Sequence, residues 1–167
     1  MTRFRRAVFV TIILLTCVGC DQITKTAARN HLASSQPMSY LSGIFRLQFV
    51  ENVGGFLGFG STLPSGPRFW VFTLLIGIAL AGVVVVILVH GSLNRSDVIG
   101  LSLVVAGGVS NLMDRMFNHG AIIDFMNIGI GSLRTGIFNI ADVAIMVGAG
   151  VLVFLRSQRR RRRWISS

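Results

Sequence analysis

Residues 69–89 read FWVFTLLIGIALAGVVVVILV, a run that contains no charged side chain. Because a helix needs about 20 apolar residues to cross the hydrocarbon core of a bilayer, this run predicts a membrane-spanning helix. The whole 167-residue chain is 52% hydrophobic and only 13% charged, a balance typical of membrane proteins and outside the range of ordinary soluble domains. The sequence therefore predicts an integral membrane protein.

Three more apolar segments flank this run, and together they predict an all-α membrane protein with four transmembrane helices. Charged residues, glycines and prolines interrupt the apolar segments and mark the loops between them. A chain of this length has no room for a separate soluble domain, so residues 1–167 are expected to form a single membrane domain. The helices are predicted at about residues 7–28, 68–90, 97–116 and 137–156, and the longer loops at about 29–67 and 117–136.

The positions of the arginines predict the orientation in the membrane, since lysine and arginine accumulate on the cytoplasmic side. With four spans, the arginine clusters and both termini fall on that side, and the two longer loops face outward. The net charge of +10 does not indicate a nucleic-acid partner, because the C-terminal arginines directly follow a span and are expected to touch anionic lipid. The clusters comprise Arg3, Arg5, Arg6, Arg95, Arg156 and Arg159–Arg163.

Two local patterns in the N-terminal half carry further predictions. Residues 45–49 alternate apolar with polar side chains, which predicts a strand of a short hairpin in the first outward loop. Val18-Gly19-Cys20 resembles a lipoprotein cleavage site, so one alternative is a non-enzymatic lipoprotein anchored through Cys20. Three further apolar segments follow that site, and this favours a first helix that is retained.

Polar residues gather at the predicted outer ends of the helices, where ionisable groups are costly and usually mark function. Residues three or four apart share one face of a helix, so the members of each such pair point the same way. Asp124, expected with Asp142 at the outer ends of the last helices, lies among apolar neighbours that would desolvate its carboxylate. The pairs are Asp21 with Lys25, Asn111 with Arg115, and Asn139 with Asp142.

Asp124 and Asp142 are the strongest candidates for chemistry. Two neighbouring carboxylates can share a proton, so that one acts as a base on water while the other donates to a carbonyl oxygen. A transporter or proton channel would also place Asp, Asn and Arg within the membrane, and the residues alone leave that alternative open. The three histidines fall in separate loops and predict no metal site.

Four short motifs lie in register with these predicted helices, across nearly the whole chain. They are Asp21-Gln22-x-x-Lys25, Ser110-Asn111-Leu112-Met113-Asp114-Arg115, Ile123-Asp124-Phe125 and Phe138-Asn139-Ile140-Ala141-Asp142. In this order they resemble the bacterial lipoprotein signal peptidases, the signal peptidase II family. The resemblance implies a four-helix aspartic peptidase of the inner membrane, with a small extracytoplasmic β-sheet that cradles the substrate and with no metal or other cofactor.

The resemblance also implies a role for each matching residue. Asp124 and Asp142 would be the catalytic pair, and Asn52 would contact substrate from the first outward loop. Asp114 would be a structural partner of an arginine or of the backbone. The remaining residues fall into two groups: Asn111, Arg115 and Asn139 would hold the substrate backbone or orient the aspartates, and Asp21 and Lys25 would support the fold near the site.

The implied substrate is a prolipoprotein whose cysteine carries diacylglycerol, cleaved just before that cysteine. Membrane lipids are expected partners, and no obligate protein partner is inferred. Each buried CH₂ of the acyl chains would contribute about 0.8 kcal/mol to binding, so lipid can supply much of the affinity.

Two departures from the family pattern stand out. Leu57 occupies a position where the family usually has phenylalanine, and Phe56 lies one position earlier, so the contacts of this loop are expected to differ. Ser110 replaces a usual glycine before Asn111, and a small change in helix packing is expected there.

Overall fold

The computed structural model describes residues 2–55 and 58–165, without the side chains of 155, 156 and 158–165. The loop departure at Phe56 and Leu57 lies outside the described residues. The side chains of the C-terminal arginines, predicted to touch anionic lipid, lie outside them as well.

Within these ranges the chain forms four long helices and a small antiparallel sheet. The helices are α1 (Arg3–Leu32), α2 (Ser65–Val89), α3 (Arg95–Phe117) and α4 (Ile140–Ile165). In the described part, α1, α2 and α3 are long and apolar enough to span a membrane, while the apolar part of α4 is the shorter stretch Ile140–Phe154. The predicted fold class, four apolar helices with a small sheet, is confirmed.

The helix ends differ from those expected from hydropathy. Helix α1 begins at Arg3 because the Thr2 hydroxyl oxygen accepts a hydrogen bond from the Arg5 amide, 3.3 Å away. It continues without interruption through Cys20 to Leu32. Helix α2 contains a wider π-helical turn at Trp70–Leu75, which the sequence did not predict. Polar residues at both ends therefore extend α1 beyond its apolar stretch.

The sheet has the order β1–β2–β3–β4, with all neighbouring strands antiparallel. Its strands are β1 (Met38–Tyr40), β2 (Phe45–Asn52), β3 (Ile122–Ile130) and β4 (Leu133–Arg134). Strand β2 confirms the strand expected at 45–49. Pairing of β2 with β3 places Val50 opposite Asp124 and Asn52 opposite Ile122.

Asp124 lies in strand β3, so its expected position at the end of a helix is wrong. Residues 122–125 are all buried, and this removes the alternation of apolar and polar residues by which a half-exposed strand is recognised. A bridge between Met126 and Phe138 extends the strand environment past residue 137, and helix α4 therefore starts only at Ile140.

The helices run up and down, so one end of the bundle gathers the predicted polar residues and the other does not. The opposite end has an apolar core, and there the Arg6 guanidinium donates to the carbonyl oxygens of Ile87 and His90, at 2.9 and 2.7 Å. Helices α3 and α4 approach closely: a Cβ placed on Gly107 would lie 2.3 Å from the Ala141 carbonyl oxygen. This contact brings the middle of α3 beside the start of α4.

Candidate active site

Asn139 connects the two predicted catalytic aspartates. Its side-chain amide nitrogen donates to Asp124 Oδ1 at 2.7 Å, and its backbone N–H donates to Asp142 Oδ2 at 3.2 Å. Its side-chain oxygen accepts from the Asp142 N–H at 2.9 Å, which caps the first turn of α4. A helix cap therefore holds Asp142 beside strand β3, and both carboxyl groups line the same cavity.

Asn111 holds the other oxygen of Asp142, and its own amide has a defined orientation. Its Nδ2 donates to Asp142 Oδ1 at 2.9 Å. Its Oδ1 accepts from Lys25 Nζ at 2.8 Å and from Asn139 Nδ2 at 3.1 Å. Since both donors require an acceptor, the amide oxygen must face Lys25 and Asn139, and the amide nitrogen must face the carboxylate.

Asn52 and Arg115 connect the first loop to the site. Asn52 Nδ2 donates to Asp124 Oδ2 at 3.0 Å and to the Gly55 carbonyl oxygen at 3.1 Å. Arg115 Nη2 donates to the Gly54 carbonyl oxygen at 2.6 Å, and its guanidinium lies 5.6 Å from the centre of the Phe72 ring. Both oxygens of Asp124 therefore have amide donors, and the loop is held against α3.

A buried ionic network lies behind the aspartates. Lys25 Nζ lies 2.6 Å from Asp21 Oδ2 and 2.9 Å from Asp114 Oδ2, and all three side chains are at most 2% exposed. Asp21 Oδ1 also accepts from the Ala141 N–H at 2.8 Å, which connects α1 to the first turn of α4. Lys25, neutralised by two carboxylates, is fully paired in a position where an isolated charge would be prohibitive.

Asp114 makes one of its two expected contacts. It accepts from the Ile123 backbone N–H at 3.0 Å, as expected of a backbone partner. Its ion-pair partner is Lys25 instead of an arginine. Asp114 thus fixes strand β3 one residue before Asp124.

Sequence reasoning missed two members of this network, Gln22 and Ser110. Ser110 Oγ donates to Asp21 Oδ2 at 2.7 Å, so the serine makes a buried polar contact where a packing change was expected. Gln22 Nε2 donates to Ser110 Oγ at 3.0 Å and to Asp114 Oδ1 at 2.8 Å. The available signal was the i, i+4 spacing of Ser110 and Asp114, which places both on one face of α3.

The cavity beside the aspartates has a volume of about 240 Å³. Asn52, Asn111 and Arg115 line it together with Asp124 and Asp142, so these predicted residues come together in one place. Asn139 is fully buried behind it, and its contacts are those of a residue that orients the aspartates. The remaining walls are mainly apolar, with Ile76, Ile122, Ile137, Ile145 and Met146.

The surroundings of Asp124 favour its protonated form. Burial raises the pKa of Asp124 to about 7, and the neighbouring charge of Asp142 adds to this shift. The hydrogen bonds from Asn52 and Asn139 and the charge of Lys25 act in the opposite direction but do not cancel it. Near neutral pH the site can therefore hold both a carboxylic acid and a carboxylate, as general acid–base chemistry requires.

Comparisons with known proteins decide the family. A family model described as signal peptidase (SPase) II matches residues 13–157. The chain belongs to the signal peptidase II family. The lipoprotein signal peptidase of Syntrophus aciditrophicus (strain SB) is 34% identical over 142 residues, which cover 84% of this chain and 87% of that protein. That of Burkholderia thailandensis is 34% identical over 149 residues, or 89% of this chain and 87% of that protein.

Two solved structures of bacterial membrane enzymes share the fold. Their TM-scores are 0.77 and 0.74, with sequence identities of 23% and 22%. The matches cover 90% and 88% of this chain and 88% and 91% of the solved chains. Together with the apolar helices, these findings show a multi-pass membrane protein that is a peptidase of the signal peptidase II family. They confirm the predicted resemblance and do not favour a transporter or a lipoprotein anchored at Cys20.

Proposed function

We propose that this peptidase is an aspartic endopeptidase that removes signal peptides from prolipoproteins, with Asp124 and Asp142 as its catalytic pair. The observation that carries the proposal is that Asn139 forms hydrogen bonds with both carboxyl groups. The two carboxyl groups line the same cavity. Each of the two carboxyl groups accepts hydrogen bonds from amide donors on two sides, so their orientation is fixed before substrate arrives.

We infer that the two aspartates rest in different protonation states. Asp142 lies in the first turn of α4, where the helix dipole and the Asn139 N–H favour a carboxylate. Asp124 is the buried partner that holds the proton near neutral pH. Asp142 is therefore the base, and Asp124 is the acid.

The reaction begins when Asp142 takes a proton from a water molecule and the water oxygen bonds to the carbonyl carbon of the scissile peptide. Asp124 gives its proton to the carbonyl oxygen, which produces a gem-diol. The C–N bond then breaks as Asp142 returns its proton to the leaving nitrogen, and Asp124 recovers a proton from one hydroxyl group. Both carboxyl groups end in their starting states.

The cavity and its surroundings support a lipid-modified substrate. We propose that the bond cleaved is the one just before a cysteine that carries diacylglycerol, with small residues preceding it. The apolar walls around Ile76, Ile145 and Met146 offer contacts to such a substrate. Each CH₂ buried by the acyl chains contributes about 0.8 kcal/mol, so a lipidated precursor should bind far more tightly than an unlipidated one. Arg115 and Asn52 line the cavity where the peptide backbone would lie.

The charge distribution supports a location in the bacterial inner membrane with both termini in the cytoplasm. Arg3, Arg5, Arg6 and Arg95 begin α1 and α3 at the end of the bundle opposite the aspartates. By the positive-inside rule that end faces the cytoplasm, and the cavity then faces the periplasm.

The direct test is incubation of the purified protein with lipidated and unlipidated precursors, scored by release of the signal peptide. We expect cleavage of the lipidated precursor only. Asp124→Asn and Asp142→Asn should each lower kcat by about 10² to 10⁴, the usual contribution of a general acid or base. Asp97→Asn is the matched control, because Asp97 caps α3 at the opposite end. Turnover near the wild-type rate in either site variant would reject the catalytic pair.

A further inference from the structure

A second pocket, of about 310 Å³, lies beside the active-site cavity and shares Arg115 with it. Its lining runs from buried residues at the bottom, Arg115 and Phe72, to Arg68 and His119 nearer the surface. It opens beside the start of α2. Apart from Arg115, the proposed peptide hydrolysis uses none of the residues that line this pocket.

The pocket is basic. Three of its lining side chains are Arg68, Arg115 and His119, and none of the described residues that line it is acidic. Within the described ranges neither Arg68 nor His119 forms an ion pair, and the Arg68 side chain donates only to the Ser61 carbonyl oxygen, at 3.2 Å. Asp124 and Asp142 face Arg115 from the neighbouring cavity.

The Nε of Arg115 is a buried hydrogen-bond donor without a partner among the described residues. The Nη2 of the same side chain donates to the Gly54 carbonyl oxygen. A buried donor without a partner is costly, and an arginine in such a place commonly serves a phosphate or carboxylate. An acceptor group in this pocket would satisfy it.

Apolar surface adjoins the basic pocket. Phe69 and Trp70, at the start of the span formed by α2, are 55% and 62% exposed. An exposed tryptophan at the end of a span marks the level of the lipid headgroups. A ligand in the pocket would therefore have a polar part among basic side chains and room for apolar chains along α2.

We propose that this pocket binds an anionic phospholipid through its phosphate. The phosphate accepts from Arg115 and from Arg68 and His119, and the acyl chains lie along Phe69 and Trp70. The pocket would recognise a phosphate group, which both a phospholipid and free phosphate carry. The test therefore compares binding of these two ligands. The proposal concerns lipid binding and holds whether or not Asp124 and Asp142 catalyse peptide cleavage.

The test is native mass spectrometry of the full chain in detergent, titrated with dioleoylphosphatidylglycerol or with inorganic phosphate. The site variant is Arg68→Gln with His119→Asn, since His119 has a φ of 52° that asparagine tolerates. The matched control is Arg95→Gln with His90→Asn, which removes the same residue types at the opposite end of the bundle. We expect the site variant to bind the first lipid about tenfold more weakly, and the control to bind it like the wild type.

A second measurement does not depend on variants of the pocket. In a Trp164→Phe background the fluorescence of Trp70 should be quenched more strongly by brominated phosphatidylglycerol than by brominated phosphatidylcholine. Equal lipid affinity in the site variant and the wild type would overturn the proposal, and so would equal quenching by the two lipids. Binding of inorganic phosphate without binding of lipid would assign the pocket to a free anion and would overturn it too.

Discussion

The two ends of the helical bundle are held together in different ways. At the end away from the aspartates, α1, α2 and α3 meet through apolar side chains, chiefly Val10, Leu80, Ile87, Val98 and Val105. At the other end the same helices bury a polar network around Lys25 and Asn111. Lipid tails are as apolar as leucine, so apolar contacts between helices gain little over contacts with lipid. The buried polar groups have no such substitute, and they fix one arrangement.

The largest difference in stability should appear when the centre of the network is removed. Lys25→Met leaves Asp21 and Asp114 buried without their cation, and breaking a buried pair in this way costs about 3 to 5 kcal/mol of unfolding free energy. Arg29→Met is the matched control on α1, because Arg29 and Glu51 form an exposed pair at 3.9 Å. Such a pair contributes about 0 to 1 kcal/mol.

Unfolding of both variants in mixed micelles measures this difference. Lys25→Met should also lower kcat, because the Asn111 amide loses one of the two donors that orient it towards Asp142. Similar losses of unfolding free energy in the two variants would show that the buried network stabilises the protein no more than an exposed ion pair does.

The close contact between α3 and α4 at Gly107 should be the next most sensitive to substitution. Gly107→Ala places a Cβ 2.3 Å from the Ala141 carbonyl oxygen, so α3 and α4 must separate. Overpacking of this kind costs about 1 to 3 kcal/mol, and the displacement of Asp142 should lower activity as well. Gly82→Ala is the control, because a Cβ there meets nothing within 4 Å. Equal melting temperatures and equal peptidase rates in Gly107→Ala and Gly82→Ala would show that the close approach of α3 and α4 contributes neither to stability nor to activity.

An effect of similar size on stability alone should separate two serines on the same helix. Ser110→Ala removes one buried hydrogen bond from Asp21 and one from Gln22, at a cost of about 1 to 3 kcal/mol of unfolding free energy. Ser102→Ala should be neutral or stabilising, because the buried Ser102 hydroxyl has no hydrogen-bond partner among the described residues. Thermal unfolding of the two variants checks the difference, and a greater loss in Ser102→Ala would contradict it.

The sequence predicted the helices because hydropathy is a local property, and runs such as 69–89 carry it within one segment. Local hydropathy could not predict the surroundings of Asp124. Its strand is buried on both faces, and its partner Val50 lies on another strand far away in the sequence. Pairing at that distance depends on how the helices pack, which local periodicity does not contain.

The site was predicted more completely than its supports. The resemblance named Asp124, Asp142 and the three asparagines, and the structure brings them together around one cavity. It did not indicate that Ser110 donates to Asp21, because a serine in place of glycine suggests a change of packing before it suggests a hydrogen bond. The arrangement of the Asn111 amide likewise depends on donors from α1 and from the residue before α4.

The pH dependence of kcat/KM with a lipidated precursor is the sharpest test of a catalytic pair formed by Asp124 and Asp142. The proposed catalysis requires a protonated Asp124, and with a pKa of about 7 this carboxyl group loses its proton as the pH rises through that value. We predict that kcat/KM falls about tenfold per pH unit above this point, and that it also falls at acidic pH, where Asp142 becomes protonated. A rate that stays constant from about pH 5 to about pH 9 would contradict a catalytic pair that shares one proton.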